Sequence, residues 1–100
     1  MMVDIPFRDD MKKASLEGTK CCTSRNSKYG HPGDTFLIDG QLFLIKKITK
    51  MKLDWMMFRY YKEEGFDSPE AFKQVWIDLH PRAGYDPNHR VWVHWYEKVA

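Results

Sequence analysis

Residues 34–50 read Asp34-Thr-Phe-Leu-Ile-Asp-Gly-Gln-Leu-Phe-Leu-Ile-Lys-Lys-Ile-Thr-Lys50. Two runs of β-branched, aliphatic and aromatic residues flank one Asp39-Gly40 pair. Asp-Gly suits a tight two-residue hairpin turn, whose central positions need positive φ. The spacing predicts an antiparallel hairpin with strands over 34–39 and 41–50. Strict alternation would set Leu42, Leu44, Lys46, Ile48 and Lys50 on one face, and Phe43, Ile45, Lys47 and Thr49 on the other.

Working outward, residues 20–25 form a short third strand, and Val91-Trp-Val-His-Trp-Tyr96 forms a fourth with large residues on both faces. A helix is expected over 7–17, with Pro6 at its first turn, an apolar stripe of Phe7, Met11 and Ala14, and Gly18 to end it. Leu53, Met56, Met57, Tyr60, Tyr61 and Glu64 recur with helical period and mark a second helix. Ser68 caps a third helix and Pro69 sits in its first turn. Its expected core face is Phe72, Val75, Trp76 and Leu79, and His80-Pro81 stops it. Loops run over 26–33 and from Pro81 to Arg90. The order α-β-β-β-α-α-β predicts an α+β fold, a small, mostly antiparallel barrel or curved sheet with helices packed outside it.

With 100 residues, the chain makes one domain over 1–100, able to bury roughly 60–70% of its unfolded surface. Apolar residues at 43% and charged residues at 30% are ordinary for a globular domain. The 15% of aromatic residues serve either as buried area or as platforms for stacking bases. A net charge of +2 permits a nucleic-acid partner without demanding one. No apolar run approaches the ~20 residues of a membrane span, and the amino terminus lacks a signal-peptide core. No membrane partner is therefore expected, and the expected location is the cytoplasm. Adjacent Cys21 and Cys22 suit neither a strain-free disulfide nor a CxxC site. His31, His80, His89 and His94 lack ligand spacing, so no metal and no cofactor are expected. On a strand the two thiols would point to opposite faces as small buried hydrophobes.

Candidate chemistry lies in two places. Glu64 falls about 20° from Leu53 around its helix, in line with the buried stripe. It stands just before Gly65, a natural helix stop. A carboxylate there either reaches back to water or needs a polar partner. The segment Gly18-Thr-Lys-Cys-Cys-Thr-Ser-Arg25 offers Lys20, Thr23 and Arg25. Lys20 and Thr23 face opposite sides of an ideal strand, so a shared site requires Lys20 in the turn before it, or a bulge between them. Two basic sets suit phosphate and base contact: Lys46, Lys47, Lys50 and Lys52, interleaved with Ile48 and Met51, and Arg82, Tyr85, His89 and Arg90 in the last loop.

The pieces Gly18-x-Lys20-x-x-Thr23-x-Arg25, Gly33-Asp34, Glu64-Gly65-Phe66, His80-Pro81 and Val91-Trp-Val follow one another in an order that resembles the ASCH family. That resemblance implies a PUA-like small, mostly antiparallel β-barrel with flanking helices. In length and motif the chain is similar to the branch that hydrolyses N4-acetylcytidine to cytidine and acetate. There a lysine, a threonine and a glutamate carry catalysis, which implies Lys20, Thr23 and Glu64 here. Arg25 matches the arginine that closes the motif. Arg25, Tyr85 and His89 are the expected substrate contacts, and the implied partner is a modified pyrimidine nucleoside or RNA. RNA binding without catalysis is the alternative, and an ASCH ribonuclease a third. Cys21, Cys22 and Ser24 depart from the threonine and aliphatic residues more usual in relatives, so pocket shape and acyl preference do not carry over. Two assignments stay open. Neutral Lys20 would take the proton of an attacking Thr23, or charged Lys20 would polarise the carbonyl while Glu64 acts as base.

Overall fold

In the computed structural model, which describes residues 1–100, the elements are α1 (Asp9–Glu17), β1 (Cys22–Arg25), β2 (Thr35–Ile38), β3 (Gln41–Lys52), α2 (Leu53–Tyr60), α3 (Pro69–Leu79) and β4 (Arg90–Lys98). Their order is the one the sequence predicts. The Asp39-Gly40 turn forms with φ of +48° and +84°, and it joins β2 to β3 in antiparallel register. β4 pairs antiparallel with both β3 and β1, so the sheet order is β1-β4-β3-β2. The result is an α+β domain whose four strands curl into a half-barrel.

One expectation fails inside β3. Ile45 lies opposite Tyr96 and Lys47 opposite Trp95, so Lys46 is an extra, unpaired residue. Such a bulge bends the strand and sharpens its twist. It also resets the alternation. Ile48 and Lys50 share a face with Ile45, opposite His94 and Trp92, while Lys47, Thr49 and Met51 share the face of Trp95, Val93 and Val91.

Both faces of the sheet are packed. On one, Cys22, Val91 and Val93 meet Leu53, Met56 and Met57 of α2 and Phe72 and Trp76 of α3. On the other, Phe36, Ile38, Phe43, Ile45 and Tyr96 enclose Ile5, with Phe7 and Leu16 at the margin. Tyr96 is the hub of this second cluster, meeting Phe36 and Phe43 edge-on at 5.2 and 5.6 Å. Each such pair contributes about 0.5–1.5 kcal/mol beyond area burial. The buried Tyr96 hydroxyl lies 2.6 Å from Ser15 Oγ of α1, and its pKa is pushed well above the usual phenol value by burial.

Two helices differ from expectation. α1 begins at Asp9, so Phe7 lies in an extended segment before it, and Ser15 is the buried residue of the helix. Gly18, with φ of +87°, ends it. In α3 the Ser68 hydroxyl accepts from Ala71 N–H at 3.1 Å as a cap. Phe72 and Trp76 are buried, but Leu79 is 55% exposed and does not belong to the core. No helix is long and apolar enough to cross a membrane.

Candidate active site

The chain after α1 is stapled on two sides before it becomes β1. The amides of Thr19 and Lys20 bond Ala14 O at 3.0 and 3.1 Å, and those of Cys21 and Cys22 bond Glu63 O at 2.8 and 3.2 Å. Lys20 therefore sits in the turn before the strand, one of the two arrangements that a shared site requires. On the other side, Glu64 N–H bonds Tyr60 O at 3.0 Å and holds Glu64 in a turn beyond α2. Gly65 follows with φ of +94°, and a Cβ there would lie 3.1 Å from Lys20 Cβ and 3.3 Å from Ala14 Cβ. Only glycine combines that backbone with so close an approach.

These constraints bring Lys20 and Glu64 together. Lys20 Nζ donates to Glu64 Oε1 at 2.7 Å, to Cys22 O at 2.8 Å and to Glu64 O at 3.0 Å. Their side chains are only 2% and 4% exposed. Three acceptors match the three protons of an ammonium; a neutral amine would turn its lone pair on one of them. The other carboxylate oxygen, Oε2, accepts from Ser24 Oγ at 2.5 Å, the length of a charge-assisted O–H···O⁻ bond.

Thr23 is buried beside this group, yet the only hydrogen-bond partner of its hydroxyl is Arg25 Nε, which donates to Thr23 Oγ1 at 3.1 Å. The Arg25 guanidinium carbon lies 5.0 Å from the Phe7 ring centre and 5.8 Å from that of Tyr29. Its terminal nitrogens bond no protein group. Burial lowers its pKa, while Glu64 works in the opposite direction. Behind the strand, His94 Nε2 accepts from Tyr29 N–H at 2.9 Å. Its proton is thus on Nδ1, facing Thr23 O at 3.3 Å and Trp92 O at 3.1 Å. Burial holds this imidazole below its usual pKa and neutral.

A cleft of about 500 Å³ opens over these groups, within the size range of small-molecule sites. Lys20, Thr23, Ser24, Arg25 and Glu64 line it, with Phe7 and Tyr29, and also Phe72, Trp76 and His80 of the α3 segment. The His80 ring stacks on Trp76 with centres 4.1 Å apart. β1 is an edge strand, and the cleft runs along that edge. Thr23 shares the sheet face of His94 and Ser24 that of Val93, yet both line the one cleft.

Four expected site residues thus meet in one place: Lys20, Thr23, Arg25 and Glu64. Tyr85 lies elsewhere. Its hydroxyl donates to Asp54 Oδ1 at 3.1 Å, and burial first, then Asp54, pushes its pKa up. His89 is one layer out, with Nε2 2.7 Å from Oδ1 of Asn26, a cleft residue. Sequence reasoning missed Phe7, Tyr29 and His80, and it counted Ser24 only as a departure. Ser24 had a usable signal: it shares strand parity with Lys20 and Thr23 does not. Of the cysteines, Cys22 is in the core, while Cys21 is half-buried. Burial, then Glu63, raises the Cys21 thiol. No three His, Cys, Asp or Glu side chains gather to hold a metal ion.

No sequence-family model and no curated protein sequence matches the chain. Solved structures do. The ASCH domain from Lactobacillus crispatus JV V101 superimposes with a TM-score of 0.72 at 12% identity, over 97% of this chain and 78% of that one. The hypothetical protein PH0355 gives 0.73 at 16% identity, over 93% and 94%. Protein EF3133 from Enterococcus faecalis V583, assigned to DUF984, gives 0.61 at 17% identity, over 89% and 69%. What these share with the chain is the fold.

Proposed function

We propose that this chain, which has the fold of an ASCH domain, hydrolyses the N4-acyl amide of an acylated cytidine-type nucleoside, N4-acetylcytidine in the simplest case. The observation that carries this reading is the sealed Lys20–Glu64 pair, opening with two hydroxyls onto an aromatic-walled cleft. An amide is a poor electrophile. Its hydrolysis needs an activated nucleophile, a stabilised oxyanion and a protonated leaving group. An N4-acylcytosine is easier than a peptide, because its leaving amine is conjugated with the pyrimidine ring.

Of the two assignments open from sequence, the hydrogen bonding supports Glu64 as base. Lys20 remains an ammonium with all three protons engaged, and it orients the carboxylate. Arg25 has free N–H donors for the oxyanion, held between two rings. The Phe7, Tyr29, Trp76 and His80 rings provide faces for a flat base.

A second reading has its own observation. Lys50 and Lys28 lie 4.8 and 5.6 Å from the Trp92 ring centre, and Lys47 lies 5.1 Å from that of Trp95. Cations laid on indoles suit RNA binding without catalysis. Incubation with N4-acetylcytidine and chromatographic separation of products decides between them. The amidohydrolase reading expects cytidine and acetate in equal amounts. Intact nucleoside after prolonged incubation with demonstrably folded protein would refute it.

A further inference from the structure

We infer that Ser24, rather than Thr23, is the hydroxyl that attacks the acyl carbon. This rests on the amidohydrolase reading and deepens it. Resemblance directs attention to Thr23, but the hydrogen bonds divide the two hydroxyls differently. Thr23 Oγ1 only accepts, from Arg25 Nε. No base stands within hydrogen-bond reach of its proton. Ser24 Oγ donates to Glu64 Oε2, and Lys20 fixes the opposite carboxylate oxygen so that Oε2 stays turned toward the serine. A nucleophile bonded to a base, with that base oriented by a third group, is the arrangement that activates a hydroxyl. Here the three roles fall to Ser24, Glu64 and Lys20. Ser24 is part-buried and lines the cleft, so its oxygen is accessible to a bound acyl group.

The steps balance with water as the only co-reactant. The Ser24 proton passes to Glu64 Oε2 as Oγ bonds the acyl carbon, and the carbonyl π electrons move to oxygen beside Arg25. Collapse breaks the C–N4 bond, and Glu64 returns the proton to the departing amine. Water then attacks the seryl ester. Its proton goes to Glu64 and on to Ser24 Oγ as the ester C–O bond breaks, releasing the carboxylic acid. Thr23 acts at one remove, positioning Arg25 through the 3.1 Å bond.

The test uses two acyl donors, N4-acetylcytidine and the activated ester p-nitrophenyl acetate. Protein is quenched in acid and cut after Lys20 and Arg25, and the peptide Cys21–Arg25 is fragmented to locate any acetyl group. The expected result is a Ser24 ester in wild type and in Thr23→Val, absent from Ser24→Ala and Glu64→Gln. Ser24→Ala is expected to lose on the order of 10³-fold or more in kcat. Ser24→Cys should turn over through a thioester at position 24, which a merely supporting serine would not do. An acetyl group on Thr23, or near-wild-type turnover of N4-acetylcytidine by Ser24→Ala, would overturn the assignment and leave the amidohydrolase reading standing. Acylation of Ser24 by the ester while N4-acetylcytidine stays intact would uphold the nucleophile and refute the substrate. Wild type inert toward both donors would refute both.

Discussion

Replacing Lys20 with methionine tests whether the buried pair holds the site together. The substitution removes a side chain that is 2% exposed and makes three hydrogen bonds, to Glu64 Oε1, Glu64 O and Cys22 O. Methionine fills similar volume, so little of the loss comes from a cavity. What remains is a carboxylate at 4% exposure whose one hydrogen-bond partner is the Ser24 hydroxyl. Breaking a buried ion pair in this one-sided way costs about 3–5 kcal/mol. For a domain of this size each kcal/mol moves the thermal midpoint by roughly 4–8 °C, so a fall of roughly 12–40 °C is expected. Denaturant titration at neutral pH, followed by tryptophan fluorescence, measures the free energy. The double variant Lys20→Met/Glu64→Leu should recover most of it, because neither charge stays behind, yet it should have no hydrolase activity. A loss under about 1 kcal/mol in the single variant, or a double variant no better than the single, would refute this account of the pair.

Gly65→Ala should destabilise by about 1–2 kcal/mol from its left-handed backbone alone. Its Cβ would also press on Lys20 Cβ at 3.1 Å, so activity should fall further than unfolding accounts for; comparing kcat with the denaturation midpoint checks this. His94 gives a pH signature. Its folded pKa lies below the ordinary 6.5, so below that value the unfolded chain binds more protons than the native one. The stability it contributes is present above 6.5, is lost as pH falls, and levels off once the native imidazole titrates. Urea midpoints from roughly pH 5 to 8 should show this slope in wild type and a shallower one in His94→Gln. If the RNA-binding reading holds, affinity for single strands should fall with salt at a log–log slope of ~0.7 per phosphate contacted. Lys50→Ala and Lys47→Ala should each make that slope shallower; an unchanged slope in both would count against the reading.

Much of this was legible from local chemistry. Asp39-Gly40 announces its hairpin, Ser68-Pro69 its helix start, and the period of Leu53 to Tyr61 the buried phase of Glu64. The bulge at Lys46 was not, because no glycine or proline marks it, and pairing with β4 decides the register there. Leu79 has helical spacing with Phe72 and Trp76, but it lies at the open cleft and not in the core. Lys20 was singled out by its motif, and Glu64 by its motif and its helical phase together. Phe7 and Tyr29 were out of reach. Their place beside Arg25 depends on how the N-terminal segment and the 26–33 loop cross the strand edge, which no local pattern encodes. Tyr85 has the residue type of a base contact, but Asp54 and the core cluster of α2 and α3 hold it elsewhere.

The position of β4 in the sheet has a bearing on how the protein comes to be made. Residues 22–25 find their ladder partners on one strand, residues 90–98, which also pairs with residues 43–52 and alone joins β1 to β3 in the sheet. During synthesis the ribosome releases Thr23 and Ser24 long before the strand that pairs with them, whereas Lys20 and Glu64 are held by residues made earlier. Until residues 90–98 emerge, the nascent chain can close its 35–52 hairpin and form its helices, but β1 has no ladder and Cys22 no Val93 beside it. Pairing over such sequence distances is slow compared with local contacts. The edge of the sheet along which the cleft runs is therefore completed last, after the hairpin that was legible first.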